Sequence, residues 1–207
     1  DVCSSDLRWR MNKIQQRALE AAKIEQKLQE ARLELALHQI KPHFLQNALM
    51  SIKVLCRTRP KEAEQAVYDF AVFLRGNMNA LESAEMILFR EECKTIERYL
   101  HIEKMRFGER LQVQWDLQEE KFQIPPLTIQ PLVENAVCHG ICQKMEGGTV
   151  QIRSFRKNGE ICVQILDDGA GFDTEKLKDA DGIAIRNLKL RLKEFLNADL
   201  EIESRKG

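Results

Sequence analysis

The sequence of 207 residues predicts an α+β fold, with a helical N-terminal half followed by a half of mixed helices and strands. Three observations predict it. Residues 8–39 contain neither proline nor glycine. Apolar residues keep a helical spacing through most of the chain up to Phe107. After Gly108 they alternate with polar residues instead, as they do in half-buried strands.

Composition narrows the class of protein. Lys and Arg together number 32, as do Asp and Glu, so the net charge is zero and a nucleic-acid partner is not expected. No segment reaches the roughly 18–20 consecutive apolar residues that cross a bilayer. The six cysteines form no C-x-x-C pair and are interpreted as small buried thiols in a reducing cytoplasm, with a metal site at Cys138, His139 and Cys142 as the alternative. Residues 1–7 resemble a translated sequencing adaptor, so we expect them to be non-native and the chain to be part of a longer protein.

The first long helix, residues 8–40, carries a heptad pattern. Apolar residues recur every seven positions, at Ile14, Ala21, Leu28 and Leu35, and two more follow three positions later, at Ile24 and Ala31. This spacing is typical of a coiled coil, although one amphipathic helix packed on its own domain is the alternative. We predict a dimeric signalling helix.

Three helical segments follow up to Phe107. The first helix is expected to run on through Pro42, with a kink, to about Leu55. A second helix follows Pro60, with one apolar face at Ala63, Ala66, Val67, Phe70, Phe73 and Leu74. A third is expected from Phe89 to Phe107, ended by Gly108.

The second half reads as strands and shorter helices. Strands are expected at 111–115, 149–155, 161–166 and 200–202. The pair Asn158-Gly159 is typical of a tight hairpin turn between the second and third of these strands. Helices are expected from Leu127 to His139, closed by Gly140, and from Gly182 to about Phe195.

Pro42-His43 is the first candidate for chemistry. A proline inside a helix costs about 3 kcal/mol or more, which indicates a purpose for that turn. Asn47 lies one turn after His43 and is expected to hold one imidazole nitrogen by a hydrogen bond. The other nitrogen would then be available as a nucleophile. A purely structural histidine is the alternative.

Three further motifs combine oxygen ligands and glycines. Asn135 and His139 lie four residues apart on one helical face, with Glu134 adjoining them, and an amide oxygen suits Mg²⁺. The run 167–171, Asp-Asp-Gly-Ala-Gly, ends a strand, where a carboxylate can accept a hydrogen bond from an exocyclic amine such as that of adenine. The run 182–187 opens a helix, whose N-terminal amides suit phosphate. Each motif has a plain alternative: a capping Asn, a turn, or a helix start.

The order of these motifs resembles the sensor histidine kinases of the LytS/YesM type, whose ATP-binding domain has the GHKL (Bergerat) fold. The resemblance spans Leu37 to Arg191 and rests on the segments QIKPHFLQNAL, FLRGNM, IERYLHIEKMRFGERL, IPPLTIQPLVENAVCHG, DDGAGF and GIAIRNLKLRL. It implies a helical dimerisation and phosphoacceptor region at residues 41–107. Residues 108–207 would form an incomplete GHKL α/β sandwich.

The resemblance also implies roles for single residues. His43 would be the phosphoacceptor, and His43, Asn47 and Glu134 are the expected catalytic residues. Asn135 would bind Mg²⁺. Nucleotide-binding positions would be Asn135, His139, Asp167, Gly169, Gly171, Gly182 and Asn187.

The implied activity is ATP-dependent autophosphorylation of His43, followed by phosphotransfer to an aspartate of a response regulator. ATP and Mg²⁺ are the expected cofactors. A homodimer and an upstream sensor or transmembrane region are the other expected partners, which makes the chain the cytoplasmic portion of a bacterial cell-membrane protein. Cys138 stands where the family commonly has Lys, and Ala184 where it has Gly. These two departures keep one alternative open, a degenerate kinase that only binds nucleotide or dimerises. A GHKL-type ATPase is a second alternative, which lacks a reason for the kinked His43 helix.

Overall fold

A computed structural model describes residues 13, 15–17, 19–27, 42–82, 85–171 and 180–204. The chain divides into two units, residues 1–42 and 43–207. Residues 13, 15–17 and 19–27 of the first unit are helical and exposed. Heptad positions 14, 28, 31 and 35 lie outside the described residues, as does the chain from 28 to 41. The coiled coil and a helix running through Pro42 therefore stay predictions.

Three helices begin the second unit, close to the predicted places. Helix α1 spans Pro42–Thr58, α2 spans Pro60–Glu82 and α3 spans Phe89–Phe107. Pro60 is the first residue of its helix, where the missing amide hydrogen costs nothing. Gly108 ends α3 with a φ of 58°, and its N–H bonds to the carbonyl of Lys104. The predicted bounds of α3 are confirmed.

The buried face of α2 is narrower than the sequence pattern predicts. Ala63, Ala66 and Phe73 are buried, whereas Val67 is 51% exposed. The buried positions recur in steps of three and four residues, and Val67 lies one residue beyond that stripe, about 100° around the helix. Val67 therefore belongs to the outer surface of the unit.

The second half contains a mixed three-stranded sheet. Its strands are β2 at Leu111–Leu117, β4 at Gly148–Lys157 and β5 at Glu160–Asp167, in the order β2-β4-β5. β2 and β4 are parallel, and β4 and β5 form an antiparallel hairpin. Asn158 and Gly159 have φ angles of 52° and 87°, the two left-handed positions of the predicted hairpin turn. β1 at Ile87–Leu88 and β3 at Gln123–Ile124 form a separate antiparallel pair.

The helix predicted from Leu127 to His139 differs in the structure. Helix α4 covers only Gln130–Asn135, a π-helical turn follows at Ala136–Gly140, and a 3₁₀ turn follows at Ile141–Gln143. Leu127 has a φ of 56°, so the helix cannot begin there. Gly140 does not end the helical path, because its φ is −85°.

The last helix, α5, spans Ala180–Leu196 and buries Leu188 and Leu192. The strand predicted at residues 200–202 is wrong: residues 197–204 are irregular. A strand needs a hydrogen-bonded neighbour, and in the described part of the chain no strand pairs with this segment. No described helix is long and apolar enough to cross a bilayer. The observed class is α+β, as predicted.

Candidate active site

His43 is exposed because its neighbour is buried. Phe44 is 4% exposed, and its ring centroid lies 5.2 Å from that of Phe73 and 5.1 Å from that of Tyr99. Successive helical residues point about 100° apart, so anchoring Phe44 against α2 and α3 turns the imidazole of His43 outward. The histidine is thus presented on a helix that is held in place by aromatic packing.

Asn47 contacts the imidazole of His43, as the sequence predicts. Its Nδ2 lies 3.0 Å from Nδ1 and 3.2 Å from Nε2 of the ring. In this orientation the amide donates and a ring nitrogen accepts. Half a turn of the amide would let its oxygen accept the ring N–H instead, leaving the lone pair of the other nitrogen free. Nucleophilic attack by the histidine requires that second arrangement.

Glu134, Asn135 and His139 lie on α4 and the π-helical turn. Glu134 and Asn135 are half-buried and His139 is exposed. Glu134 Oε1 accepts a hydrogen bond of 2.8 Å from the amide of Gln130. π-Helical turns occur frequently at functional sites, since the wider i→i+5 turn changes the direction of its side chains.

The loop 167–171 packs against the end of that turn. An added Cβ on Gly140 would lie 2.4 Å from Oδ1 of Asp167, and one on Gly169 would lie 2.2 Å from Cα of Gly140. The N–H of Ala170 donates to the carbonyl of Gly140 over 3.2 Å. Two motifs separated by about thirty residues are therefore brought together, at an approach that only glycine permits.

The two aspartates of this loop have different environments. Asp168 Oδ1 accepts the N–H of Thr149 at 2.7 Å, which ties the loop to the start of β4. Asp167 Oδ1 accepts the N–H of Gly169 at 3.0 Å, and the Asp167 side chain is exposed. Asp168 is thus structural, and Asp167 is the carboxylate available to a ligand.

Gly182 and Asn187 both lie on α5, and Asn187 is exposed. Residues 172–179, which connect the loop to this helix, lie outside the described residues. One turn after Asn187, the guanidinium of Arg191 donates to the carbonyl of Pro126. This bond fixes α5 on the segment that precedes α4. Burial lowers the pKa of Arg191.

Comparison with known proteins identifies the family. The family model for histidine kinase matches residues 31–111. YwpD of Bacillus subtilis strain 168 is 37% identical over 186 residues, which cover 85% of this chain and 67% of that protein. Sensor histidine kinase BtsS of Escherichia coli K12 is 34% identical, over 84% of this chain and 31% of its own. Sensor protein LytS of Oceanobacillus iheyensis is 28% identical, over 89% of this chain and 34% of that protein.

The chain belongs to the histidine kinase family, in its LytS-type group of sensor kinases. It spans about a third of the length of the relatives that are named as sensors. Among solved structures, the histidine kinase domain of the blue-light activated histidine kinase of Erythrobacter litoralis EL346 aligns with 85% of this chain and 88% of that one. The TM-score is 0.47 and the identity is 16%.

One buried acid of this histidine kinase, Glu92, was not predicted from the sequence. Glu92 of α3 is 2% exposed, and its Oε1 accepts the N–H groups of Ile129 at 2.6 Å and Gln130 at 3.0 Å. Burial raises the pKa of Glu92 to about 7, against the lowering effect of those backbone bonds. The available signal was an acid three residues after Phe89, on the apolar stripe of α3.

Cys138 faces α3. Its Sγ lies 3.8 Å from the hydroxyl of Tyr99, which is itself fully buried. Burial, with a smaller contribution from Cys138, raises the pKa of the nearby Glu103 to about 7. The departure from the family pattern at position 138 therefore falls on the side of the turn that packs against the helices.

The donors present fit a nucleotide with Mg²⁺. Asn135 offers an amide oxygen and Glu134 a carboxylate, both hard ligands, and Mg²⁺ completes its shell with phosphate oxygens and water. In the described part of the chain, no three His, Cys, Asp or Glu side chains are grouped so that they could hold a metal by themselves. The close approach at Gly140 and Gly169 puts the exposed carboxylate of Asp167 against Gly140, at the end of the turn that follows this pair.

Proposed function

We propose that this chain is the kinase core of a bacterial sensor histidine kinase, which transfers the γ-phosphate of ATP to His43 and then to an aspartate of a response regulator. The observation that carries the proposal is the meeting of residues 135–140 with the loop 167–171 through Gly140 and Asp167. This contact supports the proposal because it joins the turn that follows Asn135 to the loop that carries the exposed carboxylate of Asp167. His43 is exposed on a separate helix of the same unit.

On the nucleotide side, each residue has a proposed task. Asn135 binds Mg²⁺, with Glu134 beside it. Asp167 accepts the exocyclic amine of adenine, while Gly169 and Gly171 let the backbone approach the ring. His139, Gly182 and Asn187 line the triphosphate end. Bound Mg²⁺ would neutralise charge on the phosphates, which supplies much of the catalysis in phosphoryl transfer.

On the acceptor side, His43 supplies the nucleophile. A bond forms between a ring nitrogen and the γ-phosphorus as the bond from that phosphorus to the bridging oxygen of ADP breaks. ADP leaves with the electron pair. Asn47 accepts the N–H of the other ring nitrogen, so that the attacking nitrogen carries its lone pair. The phosphohistidine then donates its phosphoryl group to the response regulator.

The wider assembly is proposed to be a homodimer with an upstream sensor region. Its support is a set of large apolar side chains exposed on α1 and α2, namely Leu49, Met50, Val54, Val67 and Tyr68. A set of that kind on a soluble surface favours association. The helix before residue 42 would join this dimer to the sensor as a coiled coil, making the chain the cytoplasmic part of a membrane protein.

The experiment combines ATP binding with labelling by γ-labelled ATP and Mg²⁺. The variants are His43→Gln, Asn135→Ala and Asp167→Asn, with His101→Gln as the matched control. We expect His43→Gln to bind ATP like the wild type and to take no acid-labile label. Asn135→Ala and Asp167→Asn should lose both properties, and His101→Gln should keep both.

Each rival has its own outcome. A wild type that binds ATP and takes no label would contradict the proposal and indicate a degenerate kinase. Release of inorganic phosphate at an unchanged rate by His43→Gln would indicate an ATPase instead. Unchanged ATP affinity in Asp167→Asn would remove the adenine assignment.

A further inference from the structure

Gln130, the first residue of α4, has a buried side chain that uses both of its amide hydrogens. It is 2% exposed, and its Nε2 donates to Oδ1 of Asn77 at 2.9 Å and to Oε1 of Glu134 at 2.8 Å. The side-chain oxygen of Gln130, Oε1, is buried and has no hydrogen-bond partner among the described residues. Leaving a buried oxygen unpaired costs free energy. The structure keeps the two bonds that Nε2 donates, although Oε1 then accepts none.

The direction of these bonds is fixed by the neighbours. Nδ2 of Asn77 donates to the carbonyl of Phe73 at 2.9 Å, which leaves Oδ1 facing Gln130. A Glu134 carboxylate only accepts. Turning the Gln130 amide over would place its oxygen against both acceptors. The Gln130 amide therefore has one favourable orientation, in which it links Asn77 of helix α2 to Glu134 at the edge of the candidate active site.

The backbone of the same residue is held from another helix. Glu92 of α3 accepts the N–H of Gln130 together with that of Ile129. The side chain of Gln130 is thus bonded to α2 and its backbone N–H to α3. Both helices therefore fix the position of the start of α4. Glu134, one turn later and bonded to Gln130, adjoins Asn135.

We propose that Gln130 is a positioning residue for phosphoryl transfer, which holds the Glu134 carboxylate, and with it the turn that carries Asn135, in register with Asn77 of helix α2. The inference rests on the proposed function, since it needs the nucleotide to lie at this turn. Gln130 itself touches no reacting atom. It acts on the rate of transfer from bound ATP rather than on the capture of ATP.

The test compares Gln130→Met, which keeps the volume and loses both donors, with Asn77→Leu, which removes one acceptor. The exposed neighbour Asn79→Leu is the matched control. Labelling of His43 is measured against ATP concentration. We expect Gln130→Met and Asn77→Leu to lower the rate at saturating ATP about tenfold, with the half-saturating concentration changed less than about threefold. Asn79→Leu should match the wild type.

Two further variants separate positioning from simple stability. Because both residues act in one chain of bonds, the double variant Gln130→Met with Asn77→Leu should be no slower than the slower single variant. Asn77→Asp keeps an oxygen towards Gln130. Because burial favours the protonated carboxyl, its O–H can still donate to the carbonyl of Phe73, so the variant should retain a rate within about threefold of the wild type. If Gln130→Met does not fold, the contrast between Asn77→Leu and Asn77→Asp decides the question.

Equal losses in Asn77→Asp and Asn77→Leu, additive losses in the double variant, or a loss confined to ATP affinity would overturn the positioning role and leave the kinase intact. A wild type without label would instead overturn the proposed function, and the positioning role with it. The two failures are therefore distinguishable in one set of measurements.

Discussion

The two sides of the proposed active site are held by different forces. The acceptor side is anchored by aromatic packing: Phe44 is buried against α2 and α3, and the neighbouring His43 is exposed and in contact with Asn47. The nucleotide side is held by close backbone approach and buried polar bonds, at Gly140 and at Glu92. Apolar packing is non-directional, whereas the polar side depends on single atoms. Substitutions on the acceptor side should therefore act through the volume of the side chain. On the nucleotide side, single hydrogen-bonding atoms and pH should matter more.

The largest expected effect is on the acceptor side. Phe44→Ala should lower the free energy of unfolding by about 3–5 kcal/mol, because it removes a buried ring and leaves a cavity. Lys53→Ala on the exposed face of the same helix should change it by less than about 0.5 kcal/mol. Denaturant unfolding of both variants checks this. Similar losses in the two would show that Phe44 does not anchor α1.

The second effect is a pH dependence from Glu92. Burial raises its pKa from 4.5 to about 7, so the folded protein binds this proton more tightly than the unfolded chain. Its contribution to stability is present below pH 4.5 and is lost as pH rises through 7. The wild type should lose up to about 3 kcal/mol from this residue between pH 5 and 8.

Glu92→Gln keeps an acceptor for the two N–H groups and cannot ionise, so its stability should fall less over that range. Glu91→Gln, at the exposed neighbouring position, should keep the slope of the wild type. Unfolding measured at several pH values compares the three proteins. Parallel curves for the wild type and Glu92→Gln would show that Glu92 is not the source.

The third effect tests the glycine contact. Gly140→Ala would place a methyl group 2.4 Å from Oδ1 of Asp167 and displace that carboxylate. Overpacking of this kind costs about 1–3 kcal/mol, so ATP affinity should fall about tenfold or more. Gly76→Ala meets only ordinary contacts of 3.7 Å with Thr95 and should leave ATP affinity unchanged. Equal affinities for Gly140→Ala and the wild type would dissociate Asp167 from the nucleotide.

The smallest effect concerns Asn47. Asn47→Asp can only accept from the ring N–H, so it should keep or raise the labelling rate of His43. Asn47→Leu removes the hydrogen bond and should lower that rate about fivefold, equivalent to about 1 kcal/mol. Initial rates at saturating ATP give the comparison. Equal losses in Asn47→Asp and Asn47→Leu would mean that the observed donating orientation is the functional one, and an unaffected Asn47→Leu would mean that this hydrogen bond has no role in transfer.

Local signals predicted the elements that depend on local chemistry. The hairpin around Asn158-Gly159 and the bounds of α3 with its terminal Gly108 follow from turn glycines and periodicity. The strand expected at 200–202 has a suitable pattern, yet a strand forms only beside a partner. The π-helical turn could not be predicted from local sequence, because Gly140 packs against the loop 167–171, which is distant in the chain.

The candidate site divides in the same way. Motifs predicted the candidate residues, and two contacts among them are present, that of Asn47 with His43 and that of Gly140 with the loop 167–171. The supporting residues were missed. Glu92 bonds to residues 37 and 38 positions away, and Gln130 to one 53 away. No local pattern identifies such partners, although acids on an apolar helical stripe mark where to look.

The central claim is tested most directly by locating the phosphate. The chain has four histidines, His38, His43, His101 and His139. After incubation with ATP and Mg²⁺, peptides kept at alkaline pH can be sequenced by mass spectrometry to assign the phosphohistidine. The account predicts phosphate on His43 alone. Phosphate on any of the other three histidines, with His43 unmodified, would contradict it.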